Sequence, residues 1–329
     1  MWVLMEHAPS VDWRLAHRVA AVGPDHLPDL TRHELTRLVA DLRVTARRAG
    51  EIAAGHLGVE AVGATRIRVV DWSGWGRAVQ HMADGVVDQL GLEPAGTGLG
   101  ARLAGARNGL LVGAGMRAVS RRLLGQYDAF TGADTLYLVA PTIVAHERAH
   151  RFTPPHFRMW VALHEQTHAL QFRLAPWLHD YLTERLRLVV HDEVPLGEGL
   201  LGWARTRDVA ALLTSREAGR AMAELTAAMT FLEGHADYTS DYAGRRHAPT
   251  IPGMRRAFAR SESTGLLARL SRTLDKNAQY RDGLEFCRRV QRLKNRDALR
   301  RAFAEPANLP TAEEISDPSR WLERVRGQA

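Results

Sequence analysis

The pattern His-Glu-x-x-His occurs twice in a short stretch of the chain, as HERAH at residues 146–150 and as HEQTH at residues 164–168. Four residues make about one turn of α-helix, so the two imidazoles of each copy would project from one face and could bind a single Zn²⁺. The glutamate lies one step round the helix, where it can take a proton from a water that the metal holds and polarises. Either copy would therefore support metal-assisted hydrolysis.

The residues around HEQTH favour it as the metal site. Hydrophobic residues flank it on both sides, WVAL before and AL after, as expected of a helix that crosses a core. Thr153 and Pro154 predict where this helix begins, and Pro176 predicts where it ends. The alternative is an ordinary amphipathic helix with buried histidines. The flanks favour the metal site, with His164 and His168 as ligands and Glu165 as the general base.

The surroundings of HERAH are less suitable. Arg148 and Arg151 border His150, and two guanidinium charges oppose the binding of a cation. The segment also lies between Pro141 and Pro154, which predicts a short surface helix. We interpret HERAH as a chance occurrence of the pattern that does not bind a metal.

A second helical pattern, AAMTFLEGHADY at residues 227–238, offers the third ligand. Its predicted apolar face consists of Leu225, Met229, Leu232 and Ala236. Glu233 lies at the edge of this face, where an unpaired buried carboxylate would be costly and Zn²⁺ would supply its partner. His235 is the rival ligand, but two residues turn a helix by about 200°, so the two side chains cannot both face the metal. We favour Glu233, with Asp237 holding the ring N–H of a liganding histidine.

The remaining patterns are mostly helical. The capping box TRHE at residues 31–34 begins a long amphipathic helix that ends near Gly50 or Gly58. RIRVVDW at 66–72 predicts a short strand or the lead into a helix over 73–90, and TLYLVAP at 135–141 is the best strand pattern. The glycine-rich stretch at residues 96–115 could be mistaken for a dinucleotide-binding loop, but no βαβ unit surrounds it. It instead predicts a helix that packs closely against a neighbour. The glycines four residues apart in this stretch are Gly105, Gly109 and Gly113. Near the end of the chain, Trp321 and Leu322 are predicted to pin a short capped helix to the body.

Composition narrows the classes of protein. The 329 residues, 45% of them hydrophobic, suffice for one large core or two modest ones. Cys287 is the only cysteine, which excludes an internal disulfide and a cysteine-based zinc cluster, and we predict it to be a buried small hydrophobe. Neither a signal peptide nor a transmembrane helix is predicted, so we expect a cytoplasmic protein. The net charge of +7 comes from arginines spread over helix faces without a nucleic-acid-binding signature, which makes nucleic acid an unlikely partner.

HEQTH followed by a helix carrying Glu-x-x-x-Asp resembles the gluzincin branch of zinc metallopeptidases. The chain also resembles a mainly actinobacterial family of zincin-like hydrolases, some members of which are associated with biosynthesis of a deazaflavin coenzyme. The stretches that carry this likeness are VDW, VVDWSGW, LLGQYDAF, LVAPTIVAHER, FRMWVALHEQTHALQF, LEGHADY, AQYRDGLEFC and LPTAEEISDP. The resemblance implies zinc ligands His164, His168 and Glu233, Glu165 as general base, and Asp237 as the support of a histidine.

We therefore predict a mainly α protein with a small β-sheet (α+β), a zincin-like core and a single domain over residues 1–329. A helical N-terminal lobe would cover 1–130, and the metal site and C-terminal helices would lie in 131–329. The leading hypothesis is a zinc metallopeptidase acting on a peptide or protein, with the strand at 135–140 as the active-site edge that pairs with substrate. Three residues are candidate oxyanion partners, each with a structural role as the alternative: His235, Tyr238 and Tyr280. A competing hypothesis is a non-catalytic, zinc-stabilised interaction protein.

Overall fold

The computed structural model describes residues 8–22, 30–93, 96–191, 215–262 and 276–326. Most of these residues are helical. In chain order the helices and strands are α1 (Trp13–Ala20), α2 (Arg32–Leu57), β1 (Arg66–Val70), α3 (Trp72–Leu90), α4 (Leu99–Ser120), β2 (Gly125–Asp128), β3 (Thr135–Val139), α5 (Ala140–Ala149), α6 (Pro154–Leu174), α7 (Leu178–Val190), α8 (Arg216–Ala243), α9 (Ile251–Glu262), α10 (Lys276–Leu293), α11 (Ala312–Ser316) and α12 (Pro318–Arg324). Short 3-10 helices cover Gly244–Arg246, Arg296–Phe303 and Pro306–Asn308. The predicted class, mainly α with a small sheet, is confirmed.

The sheet has three strands in the order β1-β3-β2, with β1 parallel and β2 antiparallel to β3. All five residues of β3 are buried, which explains why TLYLV reads as a continuous apolar run. The prediction that this strand forms the active-site edge was wrong, because β1 and β2 occupy both of its edges. The edge strand that lies against α6 is β2.

Local signals set the ends of α2. The side chain of Thr31 accepts a hydrogen bond from the backbone of Glu34, whose carboxylate in turn accepts from the Thr31 backbone. At the other end Gly58 adopts φ +65°, a left-handed conformation that glycine enters without steric cost. The capping box therefore begins the helix as predicted, and Gly58, not Gly50, ends it.

Two hydrophobic clusters flank the region of α6 and α8. One joins α2, the sheet and most of α6, with Leu42, Leu163 and Leu170 almost completely buried. The other joins α7, α8, α10 and the C-terminal helices around Trp321, which is fully buried. Trp321 also donates a hydrogen bond from its indole nitrogen to the carbonyl oxygen of Asn308, 2.8 Å away. The predicted anchoring of the C-terminal end is confirmed.

The predicted division of the chain near residue 130 lies between β2 and β3, two strands that pair with each other. Cys287 is completely buried on α10, as predicted, and burial raises the pKa of its thiol far above the usual range. Within the described ranges, no helix is both long and apolar enough to cross a bilayer.

Candidate metal centre

The helix α6 carries HEQTH through the interior. It begins at Pro154 after the cap residue Thr153 and ends before Pro176, as predicted. The motif residues Glu165, Gln166 and Thr167 are buried on it. Gln166 holds the helix against the middle of α2 and the loop that follows it, since its Oε1 accepts from the backbone N–H of Ala64 at 2.6 Å and its Nε2 donates to the carbonyl of Ala46 at 2.9 Å. The motif therefore lies on a helix whose position is fixed by buried polar contacts as well as by packing.

The helix α8 brings Glu233 to face α6. It packs against α6 on one side and crosses α10 on the other, with Gly234 against Gly283 at the crossing. A Cβ atom at either glycine would overlap backbone atoms of the other helix. The two glycines allow this close approach, and Glu233, next to Gly234, is positioned on the α6 side of the same turn.

Three side-chain atoms converge between α6 and α8. The Nε2 atoms of His164 and His168 are 3.2 Å apart. The Oε2 atom of Glu233 lies 3.3 Å from the first and 3.7 Å from the second. In the described part of the chain, these residues are the one group of three or more His, Cys, Asp or Glu side chains with the spacing of a metal site.

The donor set and its spacing fit zinc. Ligand atoms about 2.0 to 2.1 Å from a tetrahedral Zn²⁺ lie roughly 3.3 to 3.4 Å from one another. The three observed separations are close to this value without any movement of the side chains. Two imidazole nitrogens and one carboxylate oxygen are also a ligand combination that zinc prefers.

The remaining ring nitrogens of both histidines have partners that orient them. Nδ1 of His164 lies 3.0 Å from Oδ1 of Asp237, and Nδ1 of His168 lies 2.9 Å from Oε1 of Gln171. Gln171 donates through Nε2 to the carbonyl of Leu232 at 2.7 Å, so its amide oxygen faces the histidine. Because both oxygens accept, each Nδ1 carries a proton, and once a ring is neutral the lone pair of its Nε2 faces the centre.

Asp237 is itself held by a cation from α9. Arg255 donates to its Oδ2 at 2.8 Å and also pairs with Asp241, which accepts from the indole nitrogen of Trp160 at 3.1 Å. The guanidinium of Arg255 lies 4.7 Å from the centre of the Trp160 ring. A network of buried hydrogen bonds therefore fixes the aspartate that orients His164.

Charge and burial act in opposite directions on the pKa values of this site. Burial favours the neutral imidazole of His164, but its hydrogen bonds with Asp237 and Glu233 hold its pKa well above the ordinary value. His168 shows the same balance, with burial outweighed by the charge of Glu233, and its pKa is also raised. Burial opposes ionisation of Glu233, yet the two histidines hold its pKa far below the usual range. The carboxylate is thus ionised and ready to bind a cation.

Glu165 lies on the neighbouring face of α6 beside β2. Its carboxyl is buried, and burial is the main reason why its pKa is raised. A side chain at Gly125 would place its Cβ atom 2.7 Å from Cγ of Glu165, so glycine at this strand position leaves the space that the carboxylate uses. The motif glutamate is therefore next to the three converging atoms but is not one of them.

The rival His235 points elsewhere. It is buried, its Nδ1 lies 3.2 Å from the amide nitrogen of Gln171, and its ring packs against Phe231 and Phe303. Burial, followed by the charges of His56 and His168, lowers the pKa of His235 to about 3. His235 is therefore a neutral part of the core, and it does not face the same centre as Glu233.

HERAH lies on α5, which is short, as predicted. The expectation of a surface helix was wrong for its first turn, because the residues from Pro141 to Val144 are buried under the sheet and α6. His146 stacks on His150 and on Phe258, and the ring of His150 lies tilted against that of Phe258. The motif glutamate, Glu147, pairs with Arg158 in a bidentate contact. Among the described residues no third ligand side chain joins the two imidazoles, and Glu147 is held by Arg158.

Other expectations concern residues near the site. Met229, predicted on the apolar face of α8, is 45% exposed, because α8 is covered by other helices on only part of its circumference. Tyr238 is buried with its ring 4.5 Å from that of Tyr242, and the side chain of Tyr280 lies outside the described part of the chain. The contacts of Gln171, Arg255 and Gly125 with the site were not predicted from the sequence. Only Gln171, one turn after His168, had a local signal.

Comparison with known proteins identifies a family and a similar fold. The family model described as zincin-like metallopeptidase matches residues 11–322. No curated protein matches the sequence at a significant level. A crystal structure from Chloroflexus aurantiacus, described as a provisionally assigned hydrolase with a novel fold, is similar with a TM-score of 0.68 and 22% sequence identity, covering 96% of this chain and 99% of that one. The similarity to that structure concerns the fold, whereas the family match spans nearly the whole chain, and the protein therefore belongs to the zincin-like metallopeptidase family.

Proposed function

We propose that the protein is a zinc-dependent hydrolase that cleaves peptides, with zinc held by His164, His168 and Glu233. The observation that carries this proposal is the convergence of three ligand atoms, 3.2 to 3.7 Å apart, beside a buried glutamate. A zinc ion in this site supplies a Lewis acid that polarises a carbonyl group and lowers the pKa of a water molecule.

Glu165 is the general base of the proposed reaction. Burial raises the pKa of its carboxyl group, which increases its affinity for a proton near neutral pH. It takes a proton from the attacking water, and the same carboxyl then delivers this proton to the nitrogen of the departing amine. A glutamate at its ordinary pKa would be a weaker acceptor for this transfer.

The edge strand β2 supports a peptide as the substrate. Along the described chain β2 pairs with β3 alone, so its outer edge offers backbone groups to an extended segment. Gly125 at the start of β2 lies against Glu165, which places this edge next to the proposed base. β2 takes the role that the sequence analysis gave to the strand at 135–140.

The competing hypothesis, a structural zinc that braces the helices, requires a closed site. A structural zinc takes four protein ligands, whereas a catalytic zinc keeps one position open. The described residues place no fourth His, Cys, Asp or Glu in the group formed by His164, His168 and Glu233. This favours the catalytic hypothesis. The association with deazaflavin coenzyme biosynthesis and the choice of oxyanion partner stay predictions.

The test is hydrolysis of a broad peptide library by the zinc-loaded protein and by Glu165→Gln. We expect the variant to retain its zinc and to lose turnover, because glutamine keeps the shape of the side chain but cannot accept the proton. Glu147→Gln, the matching change in HERAH, serves as the control and should leave hydrolysis in place. Unchanged cleavage by Glu165→Gln, or a zinc-loaded wild type that cleaves no peptide, would exclude the proposed mechanism.

A further inference from the structure

The helix α4 presents an unusual outer face. Five of the twelve large hydrophobic side chains that are exposed in the described part of the chain lie on this one helix: Leu99, Leu103, Leu110, Leu111 and Val119. Leu99 is 75% exposed, and Leu103 and Leu111 are each 66% exposed. Scattered exposed leucines are ordinary, but Leu99, Leu103 and Leu110 form a row along one face of α4, with Leu111 and Val119 further round its exposed side, and such a row indicates a contact surface.

The inner face of α4 explains why its leucines point outwards. Gly105, Gly109 and Gly113 are buried against α1, as their spacing predicted. A Cβ atom at Gly109 would lie 2.7 Å from the carbonyl oxygen of Asp12, so larger residues do not fit there. An amphipathic helix normally turns its large apolar residues to the core. The buried side of this helix consists of the three glycines with Met116 and Ser120, whereas its leucines point outwards.

The segment that contains α4 carries charged side chains of positive sign only. Between Glu93 and Asp128 the sequence contains five arginines and no acidic residue, which is +5 of the net +7 of the whole chain. These arginines are Arg102, Arg107, Arg117, Arg121 and Arg122. Three of these arginines, Arg102, Arg107 and Arg122, are exposed. The packed neighbour α1 adds the exposed Arg14 and Arg18.

We propose that the outer face of α4 binds the surface of a membrane rich in anionic lipids. Leucines in a row can enter the boundary between headgroups and acyl chains, while the arginines extend to the phosphates. A second copy of this chain fits less well, because a symmetric contact through this face would bring arginines against arginines. A nucleic acid would match the arginines but would leave the leucines without an apolar partner.

The test is flotation of the full-length protein with vesicles of phosphatidylcholine alone or of phosphatidylcholine with phosphatidylglycerol. We expect binding to the anionic vesicles, weak binding to the neutral ones, and a decrease as salt is added. The double variant Leu103→Gln with Leu110→Gln should weaken binding about 10-fold or more, because two apolar side chains no longer enter the lipid. Arg107→Gln with Arg122→Gln should weaken it about 10- to 30-fold.

Two control variants carry the same changes on α2, away from this face. Leu35→Gln with Val44→Gln alters exposed apolar residues, and Arg43→Gln with Arg47→Gln removes two exposed charges. Both should bind anionic vesicles like the wild type. Absence of vesicle binding, equal binding to both vesicle types, or equal losses in the controls would overturn the proposal. A wild-type dimer in light scattering that Leu103→Gln with Leu110→Gln converts to a monomer would instead assign the face to self-association.

Discussion

The Nδ1 atom of His164 lies 3.0 Å from Oδ1 of Asp237, one helical turn beyond Glu233 on α8. The same helix therefore supplies one proposed ligand and the group that orients another. Arg255 completes the arrangement from a third helix, because it donates to the second oxygen of Asp237 at 2.8 Å.

Zinc content distinguishes the two His-Glu-x-x-His copies. We expect His164→Ala or His168→Ala to lose most of the zinc, because two side chains and exchangeable waters hold the ion poorly and Glu233 would lose its counter-charge. His146→Ala and His150→Ala are the matched controls and should keep about one zinc per chain. Elemental analysis after dialysis measures the content. Loss of zinc in His146→Ala would reverse the assignment.

The third ligand is tested by a pair of variants two residues apart on α8. Glu233→Ala should strip the zinc, because its carboxylate is the third of the converging groups. His235→Ala should keep the zinc, since its ring faces Phe231 and Phe303 instead of the centre. Its cavity is still expected to lower the melting temperature, so metal content and stability should be measured together. If His235→Ala lost zinc while Glu233→Ala kept it, His235 and not Glu233 would be the third ligand.

Asp237→Ala should weaken zinc binding by about 10- to 100-fold without abolishing it, as is typical of groups that orient a liganding histidine. Arg255 would keep its contacts with Asp241, so it would not be left as an unpaired buried charge. Competition with a chelator of known affinity gives the dissociation constant. The metal-free melting temperature serves as the control, because a purely structural aspartate would change that temperature without selectively weakening zinc.

Zinc binding should depend on pH in a definite direction. Without metal, the raised pKa values of His164 and His168 keep protons on these rings to a higher pH than on a free imidazole. Zinc must displace these protons, so its affinity should fall as the pH decreases, and binding at neutral pH should release protons. Calorimetry in buffers of different ionisation enthalpy counts them. Asp237→Ala should release fewer protons, because it removes a hydrogen bond that raises the pKa of His164. Zinc uptake without proton release would contradict the prediction.

Structural features that depend on residues close together in the chain could be predicted from the sequence. The capping box at Thr31 and the stop at Gly58 depend on contacts within one turn, and each occurs where its signal stands. The separation of Glu233 and His235 onto different faces follows from helical geometry alone. These predictions succeeded because the periodicity of a helix is a local property.

Features that depend on distant segments could not be predicted in this way. β3 has neighbours on both edges, but a strand pattern does not tell how many strands pair with it. Arg255 reaches Asp237 from another helix, 18 residues away in sequence. Met229 has the spacing of a buried residue, yet it is exposed because no element of the described ranges covers it. Each of these depends on where helices and strands meet, which a single sequence does not specify.

The crossing of α8 and α10 should be highly sensitive to the size of residue 234. A Cβ atom at Gly234 would overlap the backbone of Gly283. Because the overlap is with backbone atoms, no side-chain rotation can relieve it. We expect Gly234→Ala to reduce the free energy of unfolding by about 1 to 3 kcal/mol or more. The added methyl group should also shift α8, which would move Glu233 and weaken zinc binding.

Gly219→Ala on the same helix is the matched control, since no atom of the described residues lies within 4 Å of its Cβ position. There the added methyl should stabilise the helix by up to about 1 kcal/mol, because alanine loses less backbone freedom than glycine on folding. Urea denaturation of the metal-free proteins gives both free energies, and chelator competition gives the zinc affinities. Equal stabilities of the two variants would show that the helices separate easily at this crossing. Intact zinc affinity in a destabilised Gly234→Ala would show that the crossing stabilises the fold without positioning Glu233.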